Sequence, residues 1–143
     1  MADGDKMAVV LKEFQVSTKG FTDVIDVTDN VRRALSQSKV QNGLVTVSVA
    51  GSTAAVSTIE FESGVVQDLR DAIERMAPVD IAYKHDLRWH DGNGFAHVRA
   101  AMIGSSFSVP LHSGDLVLGT WQQIVLLDFD NRPRSRRVFV QII

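Results

Sequence analysis

The apolar residues of this chain fall in short alternating runs, and that pattern constrains the fold more than any single motif. Val45, Val47 and Val49 alternate with Thr46 and Ser48, a period of two that turns one face of an extended chain toward a core and the other toward water. The longest unbroken apolar stretches, Met7–Leu11 and Ile124–Leu127, have the length of strands and fall far short of the roughly 20 residues a membrane-spanning helix needs. The expectation is a sheet protein with no transmembrane segment. With 143 residues, 45% of them hydrophobic and 22% charged, the chain suits one core rather than two.

Along the chain, Met7–Ser17 and Phe21–Val27 read as strands joined in a hairpin around Thr18-Lys19-Gly20. Thr28 is placed to N-cap a helix whose inner face carries Val31, Ala34 and Leu35, and Asn42-Gly43 ends it. A strand through Val45–Val49 follows, then a tight polar turn at Gly51-Ser52-Thr53-Ala54-Ala55 and a second strand over Ser57–Glu62. A second helix starts near Ser63-Gly64, turns Val65, Val66, Leu69, Ala72, Ile73 and Met76 inward, and stops at Pro78. Val79–Gly94 has no clear period and reads as an ordered loop. Phe95–Ile103 suits a short helix, and Phe107–Leu111, Leu116–Phe129 and Val138–Ile143 read as closing strands, with a turn at Asp130–Arg134. Strands and helices do not alternate regularly, so the predicted class is α+β with a largely antiparallel, barrel-like sheet and two main helices. Residues 1–6 read as a frayed leader and 7–143 as the single domain.

Fifteen basic and seventeen acidic residues give a formal charge of −2, which supplies no field for nucleic acid or an anionic membrane. The basic run Arg132, Arg134, Arg136 and Arg137 is expected to be largely solvated in a hairpin. Cysteine is absent, so disulfides and thiolate metal sites are excluded. The polar, acidic start is unlike a signal peptide, and a cytoplasmic protein is expected.

Chemistry concentrates in and after the aperiodic loop, where three of the four histidines, His85, His90 and His97, stand close to Asp91. Imidazole and carboxylate ligands suit zinc or a similar divalent ion in an open site that keeps water. The alternative is that these histidines cap turns or hydrogen-bond Trp89. Glu60 and Glu62 share a strand face in this reading, as a metal ligand or base, or as a solvated pair. Ser52 and Thr53 offer hydroxyls to an anion, and Asp91-Gly92-Asn93-Gly94 lets main chain approach a ligand. Both are also ordinary turns. Arg99 would share a face with His97 in a strand and diverge from it in a helix. Leu118-Gly119-Thr120-Trp121-Gln122-Gln123 suits a pocket wall or subunit contact, or a core Trp with edge glutamines.

At these residues the sequence resembles the YjbQ-like family, known as secondary thiamine-phosphate synthases. The resemblance runs through Phe14–Gly20, Asp26-Val27-Thr28, Gly43–Val47, Ser52-Thr53-Ala54, Asp91–His97 and Leu118–Gln123. It implies a small α+β fold, a homotrimer with sites near subunit boundaries, and a weak transfer that joins a pyrimidine pyrophosphate to a thiazole phosphate. On this chain it implies His85, Asp91 and His97 as catalytic residues. Ser52, Thr53, Asn93, Arg99 and Gln122 would hold a phosphorylated ligand, and His85, His90, His97 and Glu60 would hold a divalent metal, zinc or magnesium. The other expectation is a non-catalytic binder of a phosphorylated metabolite or metal. Gly51 stands where many members carry His, and Gly92 where many carry Asp. His90 or Glu60 would replace the lost groups, or the ligand differs, or metal affinity is lost.

Overall fold

The computed structural model describes residues 8–143; the expected leader lies outside them. The described residues form an α+β domain of eight strands and four helices: β1 (Val10–Thr18), β2 (Asp23–Asp26), α1 (Thr28–Ser38), β3 (Gly43–Ala50), β4 (Ala54–Ile59), α2 (Ser63–Met76), α3 (Lys84–Trp89), α4 (Gly94–Ile103), β5 (Ser106–His112), β6 (Asp115–Leu116), β7 (Gln123–Asp128) and β8 (Arg134–Ile142). All pairings are antiparallel, in a five-stranded sheet of order β1-β8-β3-β5-β6 and a three-stranded sheet of order β2-β7-β4.

The three-stranded sheet is the middle layer. One of its faces, with Ala54, Val56, Ile124 and Leu126, packs on Val45, Val47, Val138 and Val140 of the larger sheet and on Val31 and Leu35 of α1. The other, with Ala55, Val125, Leu127 and then Phe129, packs on Val66 and Ile73 of α2 and on Phe95, Ala96 and Ala100 of α4. A strand covered on both faces needs an unbroken apolar run, which explains Ile124–Leu127.

The first two strands do not form a hairpin. β1 pairs with β8 in one sheet and β2 with β7 in the other, and the chain crosses between layers at Gly20, Phe21 and Thr22, which all have positive φ. Thr28 is the first residue of α1 rather than its cap, and Asp26 Oδ1 accepts the Thr28 N–H at 3.0 Å. The strand expected over 57–62 runs instead from Ala54 to Ile59, and Glu62 caps α2, accepting the Gly64 and Val65 N–H groups at 2.6 and 2.9 Å. Glu60 and Glu62 therefore do not share a strand face. The expected loop 79–94 holds the helix α3, and the strand expected over 116–129 is broken into β6 and β7.

Candidate functional site

A polar cleft of about 480 Å³ opens where β4 begins and β7 ends, and Gly51, Ser52, Thr53, His85, Trp89, Asp91, Asn93, His97, Arg134 and Arg136 line it. Its two walls differ in chemistry. One is built on β7, β8 and the turn before β4, the other on α3, the Asp91–Asn93 turn and α4.

The first wall is a buried ion network. Asp128 and Asp130 are fully buried and Arg136 is 7% exposed. Arg136 donates from Nε to Asp128 Oδ2 at 2.7 Å and from Nη2 to Asp128 Oδ1 at 2.9 Å and Thr53 Oγ1 at 2.6 Å. Arg134 donates from Nε to Asp130 Oδ2 at 2.8 Å. Burial pushes the Asp130 carboxyl up, but hydrogen bonds from the Asn131 N–H, Asn93, Arg134 and Thr53 together outweigh it and hold the group below its ordinary range. Arg136 Nη1 has no partner among the described residues. It lies beside Gly51, where a Cβ would come within 2.8 Å of it. The room opened by Gly51 thus belongs to a guanidinium.

The second wall gathers ligand atoms of His85, Asp86 and Asp91 within 4.8 Å of one another. His85 Nδ1 is 3.3 Å from Asp91 Oδ1 and 3.5 Å from Asp86 Oδ1. Those two separations are close to the edge of a tetrahedron whose ligands sit about 2.0–2.1 Å from a zinc ion, roughly 3.3–3.4 Å, while the third, between the two carboxylates, is bounded at 4.8 Å. The His97 ring leans on His85, centroids 4.4 Å apart. Asp86 Oδ1 also accepts the Gly94 N–H at 2.9 Å, tying α3 to the start of α4. A Cβ at Gly94 would strike Tyr83 Cβ at 2.5 Å, so only glycine permits this approach. Asn131 Nδ2 donates to the Asp91 carbonyl at 2.7 Å and stitches the two walls together. Between them sits Asn93, 6% exposed. Its Nδ2 donates to Asp130 Oδ1 at 3.3 Å, which fixes the amide's orientation, and its buried Oδ1 has no partner among the described residues.

Of the residues expected from sequence, His85, Asp91, His97, Asn93, Ser52 and Thr53 come together. Four others do not. His90 is the exposed, left-handed C-cap of α3, with φ of 58°. Glu60 lies past the far end of β4, a six-residue strand that separates it from Thr53 by roughly 20 Å at about 3.3 Å per residue. Gln122 is at that same end, its Nε2 donating to Thr58 Oγ1 at 3.1 Å and its Oε1 accepting the Gly119 N–H at 3.0 Å. Arg99 is on α4 and turns away from His97, as residues two apart on a helix must. It is 3% exposed, donates to the Ala77 carbonyl and Thr22 Oγ1 at 2.9 Å each, and pairs with Glu74. Trp121 is 72% exposed rather than a core residue.

Asp86, Asp128, Asp130, Arg134 and Arg136 escaped the sequence reading. A signal for the arginines was present: counting back by twos from Val140 and Val138 reaches Arg136 and Arg134 on the inward face of β8. The arginine run is therefore only partly solvated, with Arg136 buried and Arg134 half-buried while Arg132 and Arg137 are exposed.

The comparisons agree with this architecture. Residues 12–143 match the family described as UPF0047 protein YjbQ-like. A UPF0047 protein of Archaeoglobus fulgidus is 39% identical over 131 residues, 92% of this chain and 99% of that one. One from Methanothermobacter thermautotrophicus is 35% identical over 142 residues, covering 99% of this chain and 97% of the other. Among solved structures, a YbjQ-like protein of unknown function from Sulfolobus solfataricus superposes with a TM-score of 0.89 at 33% identity, over 94% of this chain and 96% of that chain. The chain belongs to the UPF0047 YjbQ-like family.

Proposed function

We propose that the cleft binds a phosphorylated small metabolite together with a divalent cation, and that it supports a weak thiamine-phosphate synthase-type transfer. The observation that carries this reading is the pairing of opposite walls. Arg136 Nη1, a guanidinium nitrogen with no partner among the described residues, lies beside Gly51 in the same cleft as the His85, Asp86 and Asp91 cluster. Four carboxylates, Asp86, Asp91, Asp128 and Asp130, outnumber the two guanidiniums of Arg134 and Arg136 around the cleft, an imbalance that a divalent ion would neutralise. A nitrogen and two carboxylates suit zinc better than magnesium, which prefers an all-oxygen shell. Bound there, the ion supplies charge stabilisation to a phosphate or pyrophosphate oxygen.

The remaining roles fall to this chain's own groups. Arg136, held straight by Asp128 and Thr53, presents Nη1 to a phosphate oxygen, and Ser52 adds a hydroxyl. His97, braced by His85, faces the ligand as a hydrogen-bonding or proton-holding group. In the transfer, the thiazole nitrogen bonds to the pyrimidine's methylene carbon while that carbon's bond to the pyrophosphate oxygen breaks, the electron pair leaving with pyrophosphate. Fixed positive charge at the departing oxygens is what such a step needs.

The test is formation of thiamine phosphate from the pyrimidine pyrophosphate and thiazole phosphate, with and without zinc or magnesium. The expected result is metal-dependent product, well above a heat-killed control and abolished in His97→Ala. Pyrophosphate binding without turnover would leave the protein a non-catalytic binder of phosphorylated metabolites. Neither binding nor turnover contradicts both readings.

Among the described residues no helix is long and apolar enough to cross a membrane, and we read the protein as cytoplasmic. We read its assembly as a homotrimer, supported by apolar side chains left exposed on α3 and α4: Leu87, Trp89, Val98 and Met102. Light scattering at three times the 15.7 kDa chain mass is the expected result, and a monomer contradicts it.

A further inference from the structure

Arg99 has no place in the cleft, yet its guanidinium is buried and each of its nitrogens has a partner. It joins three segments: Nε donates to the Ala77 carbonyl after α2 at 2.9 Å, Nη2 pairs with Glu74 of α2, and Nη1 donates to Thr22 Oγ1 at 2.9 Å. Thr22 ends a run of three residues in the left-handed region, Gly20, Phe21 and Thr22, with φ of 86°, 52° and 62°. L side chains avoid that region, a β-branched one most of all, so neighbours must hold the run in place. Arg99 grips its far end together with Arg70, whose Nε donates to the Thr22 carbonyl at 2.9 Å. Its near end meets the site: the Phe21 N–H donates to the Asp130 carbonyl at 2.7 Å, and a Cβ on Gly20 would come within 2.5 Å of the same oxygen. Phe21 also stacks on Phe95 with centroids 6.2 Å apart, and Arg99 Cζ lies 5.0 Å from the Phe95 centroid.

We infer that Arg99 is a positioning residue: through Thr22 and the left-handed turn it sets where Asp130, and with it the Asn93 amide, stands relative to His97. The contacts form an unbroken chain. Asp130 Oδ1 accepts from Asn93 Nδ2 at 3.3 Å and so aims the amide whose Oδ1 lacks a partner among the described residues. At the other end, Arg99 and His97 are two residues apart on the single helix α4 and so point to opposite sides of it. One buried guanidinium thus fixes the register of the two cleft walls from outside, since none of Gly20, Phe21, Thr22 and Arg99 lines the cleft. A planar fork suits the role because its donor directions are fixed, where those of an ammonium are not. The inference rests on the ligand-binding reading of the cleft and goes beyond it by naming what keeps its walls aligned.

Thr22 is the gentler place to cut the chain of contacts, since loss of Arg99 removes all of its buried partners at once. The full chain is titrated calorimetrically with pyrophosphate at fixed zinc, and the Asn93 side-chain amide is followed by heteronuclear NMR without ligand. Thr22→Val keeps the shape and removes only the hydroxyl; about tenfold weaker pyrophosphate binding and a displaced amide signal are expected. Thr22→Ser retains the hydroxyl and is expected to bind within about twofold of native. Val66→Ala loosens the same core without touching the chain of contacts, and is expected to leave both affinity and amide signal as in the native protein. Unchanged affinity in Thr22→Val overturns the inference, as does an equal loss in Val66→Ala. If the native protein binds no pyrophosphate, the amide decides. A signal moved by Thr22→Val but not by Val66→Ala keeps the positioning role and sinks only the phosphate reading, whereas an unmoved signal overturns both.

Discussion

Arg136 occupies the space that any side chain at Gly51 would need, since a Cβ there would lie 2.8 Å from Nη1. The φ of Gly51, +148°, adds strain for any other residue. Gly51→Ala is therefore expected to push the guanidinium aside and weaken phosphate binding about tenfold, with the fold kept. Titration of inorganic phosphate checks this. Unchanged affinity would mean that Nη1 does not hold the anion.

Asp130 is expected to make the protein acid-sensitive. Its carboxyl is held below the ordinary range, so its contribution is complete above the unfolded-state value near about 3.9 and is lost as pH falls through the folded one. Asp130→Asn, which leaves Arg134 and Arg136 short of a partner, should cost roughly 3–5 kcal/mol at neutral pH. That difference should hold down to about pH 5 and shrink below about pH 4. Urea unfolding across this range measures it. A gap that grows in acid contradicts the assignment.

Phe129 carries the same turn from the opposite side. It is fully buried in the core shared by α2 and α4, between the two site aspartates, and its N–H donates to the Thr53 carbonyl at 3.0 Å. Phe129→Ala should cost about 3–5 kcal/mol, and the surviving folded protein should bind phosphate more weakly because Asp128 and Asp130 lose their anchor. A loss below about 1 kcal/mol would mean the site turn stands independently of the core.

Glu62 caps α2 through two backbone N–H groups, which lower its carboxyl from the ordinary range. Glu62→Ala should melt a few degrees lower than native at neutral pH. The lowered value means the cap acts fully above the unfolded-state pKa and fades as pH falls through the folded one, so the two melting curves should converge in acid. Curves that stay apart at low pH would contradict the role.

The local periods carried much of the fold. Val45, Val47 and Val49 lie inward on β3 as their alternation requires, and α1 buries Val31, Ala34 and Leu35. Partner choice between strands was not legible, because β1 and β8 meet across most of the chain and nothing local marks that contact. The turn residues Thr18-Lys19-Gly20 suggest a hairpin, yet the positive φ values of Gly20, Phe21 and Thr22 serve a crossing between layers.

The site was legible where chemistry and sequence proximity coincide, as with His85, Asp91, Asn93 and His97. It was not legible where a strand's length separates groups that seem related, as with Glu60, or where a helix turns one residue away, as with Arg99. The arginine wall was hidden by composition: a basic run reads as solvated until its alternate residues meet buried aspartates.

The most direct test of the cation and anion walls is a zinc titration of chelator-treated protein, with and without pyrophosphate, on the native sequence and His85→Ala. About one zinc ion per chain is expected, bound at least tenfold more tightly when pyrophosphate is present, with both effects lost in the variant. No zinc uptake, or uptake that His85→Ala leaves unchanged, would contradict it.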